Sequence, residues 1–245
     1  MIIRDAINLY RNQGTSQLLK SGTVFFAEWA GLDRQPATFN EVAVLAKSVL
    51  NQLLLISPNR PTYESGIVNA VQSHVKSGED VAIVGGGWGV SAVVAARMVG
   101  STGHVLVFEG AERNVRRVHE TNEINSVSEI VDVEHSIIGP AISLNGNPGQ
   151  SDRRDPSSIP SCETLILDCE GAEIPILEGI KTRPRLIIVE THGMFNSPKQ
   201  MVMDTLQDID YEIIEVAIAD DSKQVLCEKN DIHVLVAVDS RHSKS

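Results

Sequence analysis

From Val81 onward, short apolar runs alternate with longer stretches in which apolar residues recur every three or four positions. The runs 81–84, 104–108, 130–135, 164–167 and 185–190 have strand length and are rich in Val, Ile and Leu. Such runs read as strands buried on both faces, as in a parallel sheet. The stretches 90–98, 112–124, 173–180 and 199–208 carry helical spacing, and a strand–helix alternation predicts an α/β domain with helices on both faces of the sheet. Two late runs, 211–218 and 232–238, are joined by the polar DDSKQ at 220–224. With no helix expected between them, they predict an antiparallel hairpin at the sheet edge. The expectation is a seven-stranded, mostly parallel Rossmann-like sheet with one antiparallel strand.

The first 60 residues read as a helical extension. Ile3, Ile7 and Tyr10 share one helical face, and Val42, Leu45, Val49, Leu53 and Ile56 share another. Between them, Val24–Ala30 holds Phe25, Phe26 and Trp29. That segment suits core, a substrate lid or a membrane-surface contact. SPNRP at 57–61 is a natural boundary, because proline interrupts helices. A helix over 63–76 follows, ending near Gly78. The organisation is thus an extension at 1–60, one domain at 61–239 and a polar tail at 240–245. Within the domain, 145–161 is rich in Gly, Pro and Ser without periodicity, and reads as disorder or a lid. Arg153 and Arg154 in it suit solvated charges or a hold on an anionic acceptor.

The chemistry sits where the strands end. LILDCEGAEIPILEG, 165–179, runs from three apolar residues straight into Asp168, Glu170 and Glu173. Ligands of open α/β sheets bind beyond the carboxyl ends of the strands. The competing reading makes these acids helix caps and first-turn residues, and Glu173 is placed at the start of the following helix. The 185–190 strand ends on Glu190, with His192 two residues later. Imidazole titrates near neutrality and suits a base, although a loop histidine bonded to backbone would look the same. Clustered oxygens also suit a hard cation, but nothing in the spacing demands one, so no metal ligand is assigned. Upstream, Gly85, Gly86, Gly87 and Gly89 form a tight turn between strand 81–84 and helix 90–98, where a ligand can approach backbone. Glu109 closes the next strand, and an acid about 20 positions after the glycines can hold ribose hydroxyls.

A dinucleotide fingerprint needs a small residue three positions after Gly87, and that position is Val90. The spacing of Gly85, Gly87 and Gly89 instead resembles the GxGxG loop of class I methyltransferases that use S-adenosylmethionine. That loop usually carries an acid two positions before its first glycine, where this chain has Ile83. The blocks together resemble the FkbM-type methyltransferase family over roughly residues 62–195. IVGGGWGVSA is similar to its first loop, written DIGANIG. VFEGAERN, with Asn122 and Asn125 downstream, resembles its FEP…N…N block, with Gly110 in place of proline. LDCEGAEIPILEG resembles the signature DVEGAE…LEG, and LIIVETHG its "ivE.H" strand end. The resemblance implies O-methyl transfer from S-adenosylmethionine to a small acceptor, often a sugar hydroxyl. The cofactor would lie on Gly85–Gly89, Glu109 and Asp168, and the chemistry on Asp168, Glu170, Glu190 and His192. An NAD-dependent oxidoreductase or a catalytically idle scaffold of nucleotide-binding fold are the alternatives.

Bulk properties narrow the partners. The 245 residues are 42% hydrophobic, enough for one large α/β core. A net charge of −11 argues against nucleic acid, whose phosphates need a basic face. Cys162, Cys169 and Cys227 have no metal spacing and suggest a reducing compartment. Arg4 and Asp5 interrupt the first apolar residues, and no apolar run reaches the roughly 20 residues of a bilayer span. A cytoplasmic protein is expected, with the N-terminal helices available for self-association.

Overall fold

The computed structural model describes residues 34–47, 57–140 and 146–241. Strands β1 (Arg34–Phe39) and β2 (Val42–Lys47) form an antiparallel hairpin. Helix α1 (Ser65–His74), β3 (Asp80–Val84), α2 (Val90–Val99), β4 (His104–Glu109), α3 (Glu112–Ile124) and β5 (Val131–Ile138) follow in alternation. After β6 (Asp152–Arg154) come β7 (Thr164–Leu167), α4 (Glu173–Gly179), β8 (Leu186–Glu190), α5 (Lys199–Asp208), β9 (Tyr211–Ile218), α6 (Gln224–Asn230) and β10 (His233–Asp239).

Eight strands make one sheet in the order β6-β5-β4-β3-β7-β8-β10-β9. From β6 to β8 every pairing is parallel, and β10 runs antiparallel to both its neighbours. The apolar runs explain the centre. Alternate residues of each strand point to opposite faces, and in β3, β7 and β8 both sets are apolar. Ile83, Ile166 and Ile188 pack with Ile67, Val71, Val93 and Ala96 of α1 and α2. Leu165, Leu167, Ile187 and Val189 pack with Ile176, Leu177, Val202 and Leu206 of α4 and α5. Complete burial of each such side chain is worth about 1.5–3 kcal/mol, so the sheet is held from both sides. The strand order reverses at β3, with β4 on one side and β7 on the other. That makes a crevice at the carboxyl ends of these strands, where ligands of such sheets bind.

Three expectations are corrected. The helical stripe read through Val42 and Leu45 is a strand, with Val42, Val44 and Ala46 buried and Ala43 and Leu45 less so. Period-two burial places Val42 and Leu45 on opposite faces. The hairpin turns on Asn40 and Glu41, both in the left-handed region at φ 43° and 66°, the backbone a tight two-residue hairpin needs. Asn125 clamps this hairpin to α3: its Nδ2 donates to the Ala43 carbonyl at 2.8 Å and to the Thr121 carbonyl at 2.8 Å. Second, the sheet has an eighth strand. β6 comes from the polar 145–161 stretch, and its Arg154 forms an ion pair with Glu134 of β5 in place of a solvated charge. Third, the β9–β10 connection holds α6 in place of a simple turn, although the two strands pair as expected. Its exposed Val225 and Leu226 give little apolar periodicity to read. The Ile3, Ile7 and Tyr10 face, the Val24–Ala30 segment and the Val49–Ile56 half of the second stripe lie outside the described residues.

Candidate functional site

The crevice is lined by the glycine loop, the ends of β4, β5 and β7, and the N-cap of α1. Gly85 sits at φ 101°, and a Cβ there would stand 1.8 Å from the Asp168 carbonyl oxygen. Only glycine lets the ends of β3 and β7 approach so closely. Gly86 and Gly89 are pressed against α3 through Val118 and Thr121. Gly87 differs. It is at φ 52°, and the nearest atom to its absent Cβ is Glu64 Oε1 at 3.8 Å. It therefore presents bare backbone to the crevice.

Glu109 ends β4 directly beneath this loop and is 4% exposed. Its Oε2 accepts the N–H groups of Gly86 and Gly87, both at 2.9 Å, and its Oε1 accepts that of Ala111 at 2.7 Å. The carboxylate shapes the loop as well as lining the cleft. A carboxylate has about four lone-pair sites, so it keeps capacity for a further donor.

Two side chains escaped the sequence reading. Glu64, in the left-handed region at φ 51°, caps α1 without using its side chain. It lines the crevice across from Gly87. Its pKa is pushed up to about 8, first by burial and then by the negative charge of Asp168. Ile83, where an acid is usual, is completely buried in the core. Tyr63 and Trp88 close the same end, both in ring contact with Phe39 of the hairpin at centroid distances of 5.0 and 5.3 Å. Arg117 stacks on Trp88 at 3.9 Å. A Tyr-Glu pair before a helix is the signal that could have pointed here, but it is common.

Beside the crevice, at Asp168, β7 and β8 bring three predicted residues together. His192 Nε2 lies 3.6 Å from Asp168 Oδ1 and 3.5 Å from Glu190 Oε1. Glu170 lines the crevice from the turn after Asp168, at φ 51°. The orientation of His192 comes from a residue assigned only to the start of a helix. Glu173 is fully buried, and its Oε1 accepts the Nδ1–H of His192 at 2.8 Å. Glu173 also accepts the Gly171 N–H at 2.9 Å, so it caps the turn and holds the imidazole at once. Orientation of His192 therefore belongs to Glu173.

The electrostatics follow from crowding. Burial, followed by the charges of Glu173, Glu170 and Glu109, raises Asp168 to about 6 against the opposing pull of His192. Burial and the charge of Asp168 raise Glu190 well above the carboxylate range. Burial alone would lower His192, but the Glu173 hydrogen bond and the nearby carboxylates outweigh it and raise the imidazole. Burial would likewise raise Glu173, yet its bond to His192 carries it below the usual value.

No protein-family model matches the chain, and no curated protein does. Solved structures do resemble it. A ribosomal protein L11 methylase from Lactobacillus delbrueckii subsp. bulgaricus superposes with a TM-score of 0.50 and 10% identity, over 72% of this chain and 78% of that one. An S-adenosylmethionine-dependent O-methyltransferase from Thermotoga maritima gives 0.48 and 19%, over 73% and 65%. Aeropyrum pernix fibrillarin, crystallised with natively bound S-adenosylmethionine, gives 0.46 and 16%, over 67% and 68%. With its strand order, its antiparallel β10 and the crevice at the glycine loop, the chain has the Rossmann-like fold of class I methyltransferases.

Proposed function

We propose that the protein is an S-adenosylmethionine-dependent methyltransferase of FkbM type, acting on a hydroxyl of a sugar or another small molecule. The observation that carries the reading is the pairing of an open glycine, Gly87, with two carboxylates that face it, Glu109 and Glu64. S-adenosylmethionine combines a ribose diol, an ammonium group and a sulfonium. The residues present fit it. Glu109 accepts from a ribose hydroxyl, and Glu64, whose raised pKa a facing cation brings down, supplies the negative partner for the ammonium that Ile83 cannot. Phe108, Ile137 and Ile138 give an apolar wall for the base. Bound there, the cofactor supplies an electrophilic methyl group.

What remains for the chain is to align an acceptor and manage its proton. Proximity can supply most of the rate of such a displacement. Asp168 and Glu170 line the acceptor end of the crevice, with Glu190 and His192 beside Asp168; there a hydroxyl is held and gives up its proton as its oxygen bonds the methyl carbon and the thioether leaves. The net charge of −11 favours a small acceptor over nucleic acid. Among the described residues, no helix is long and apolar enough to cross a membrane.

The test is transfer of labelled methyl from S-adenosylmethionine to a panel of sugars and phenols. Asp168→Asn and His192→Ala should each lower turnover by about 10²–10⁴-fold while leaving binding of S-adenosylhomocysteine within a few-fold. Equal losses of turnover and thermal stability would return Asp168 to a capping role.

A further inference from the structure

We propose that Asp168, Glu190 and His192 form a divalent metal site, one that takes a first-row transition ion such as Mn²⁺ together with an oxygen ligand from the acceptor. One donor atom from each lies within 4.8 Å of the others. Two donors at right angles on a shell of radius about 2.1 Å are about 3.0 Å apart. The 3.5 and 3.6 Å separations from His192 Nε2 need only small side-chain adjustment to reach that shell.

Two independent features separate this cluster from an ordinary patch of acids. The first is the histidine. Its side chain is 9% exposed, its Nδ1 is taken by Glu173, and among the described residues its Nε2 makes no hydrogen bond, lying 3.6 and 3.5 Å from the Asp168 and Glu190 carboxylates. A carboxylate behind a histidine fixes the ring and its tautomer for metal binding, and such outer partners are typical of metal sites. The second is Glu190. Its side chain is 12% exposed and its Oε2 is buried without a hydrogen-bond partner among the described residues. Unpaired buried carboxylates are costly, and a cation between Asp168 and Glu190 relieves both that cost and their mutual repulsion. One imidazole with two carboxylates suits Mn²⁺, Fe²⁺ or Zn²⁺ better than Ca²⁺.

The three residues come from two strand ends, 22 and 24 positions apart, so no compact motif announces them. The site stands without the methyltransferase reading, whereas its role rests on it. Next to the methyl donor, the ion would bind the acceptor hydroxyl and make its proton more acidic. The proton would pass to Glu170 or to water as the oxygen takes the methyl group.

Mn²⁺ binding to the full chain, followed by the loss of the free-ion electron paramagnetic resonance signal, tests the site. One ion per chain is expected at micromolar to submillimolar concentration, with an imidazole nitrogen visible in the spin-echo modulation of the bound ion. Asp168→Asn, Glu190→Gln and His192→Ala should each weaken binding at least tenfold, and Glu173→Gln by about 10–100-fold through the ring it holds, with circular dichroism unchanged. If the variants fail to fold, the nitrogen modulation of the wild type decides. Absence of binding up to 1 mM, or a bound ion without nitrogen, overturns the proposal. Calorimetry with S-adenosylhomocysteine on the same sample separates the two readings. Ion binding without nucleoside binding sinks the methyl-transfer role and leaves the site, and the reverse result sinks the site alone.

Discussion

Glu173 and His192 meet at 2.8 Å across 19 residues of chain, the carboxylate fully buried and the imidazole nearly so. The pair joins the first turn of α4 to the end of β8. It is therefore structural and chemical at once.

Removing the carboxylate strands three groups: the His192 Nδ1–H, the Gly171 N–H and the Cys169 N–H. Glu173→Ala should cost about 3 kcal/mol of stability in urea denaturation, the range for breaking a buried pair. Glu173→Gln keeps an acceptor oxygen and should cost about 1 kcal/mol. Equal costs would mean that the hydrogen bonds contribute little.

Glu109 has two duties, and its substitution should show both. Glu109→Ala should weaken S-adenosylhomocysteine binding by about tenfold or more, as loss of a charged hydrogen bond of roughly 1.5–3 kcal/mol requires. It should also lower thermal stability, because the Gly86, Gly87 and Ala111 amides lose their acceptor. Calorimetry and a melting curve read the two effects separately. A loss confined to stability would leave Glu109 as a loop brace only.

The glycines are not equivalent. Gly85→Ala drives a Cβ into the Asp168 backbone and should prevent stable folding or shift the melting temperature by many degrees. Gly87→Ala meets only Glu64 Oε1 at 3.8 Å, an ordinary contact, and its cost is the left-handed backbone, about 1–2 kcal/mol. It should fold and lose cofactor affinity. A Gly87→Ala chain with unchanged affinity would mean that the ligand does not approach this backbone.

Acid stability should depend on Asp239, which is fully buried and bonded by Arg183 and Arg241. These guanidinium hydrogen bonds hold its carboxyl far below the usual range. A depressed folded pKa gives stability that is complete above the unfolded value of about 3.9 and is lost as pH falls below it. Asp239→Asn should cost roughly 2 kcal/mol at pH 7. The difference from wild type should shrink below pH 4 in acid-unfolding curves.

The sheet was legible because its central strands are apolar throughout. The run Leu165–Leu167 into Asp168 located both a strand and the crevice at its end. The hairpin at 34–47 was not legible, since Val42 and Leu45 satisfy a helical spacing over so short a stretch. Strand β6 is three residues long and polar, and it forms only because β5 offers it an edge. The glycine loop and Glu109 that line the crevice could be read from local spacing. Glu64 and the Glu173–His192 bond could not, because each depends on how distant elements dock.

The central claim is that this crevice binds S-adenosylmethionine. Calorimetric titration of the full chain with S-adenosylmethionine, S-adenosylhomocysteine and NAD tests it most directly. The account predicts one site for the first two, weakened by both Glu109→Ala and Glu64→Gln, and no heat with NAD. Binding of NAD, or binding of the two methionine nucleosides that neither substitution affects, would contradict it.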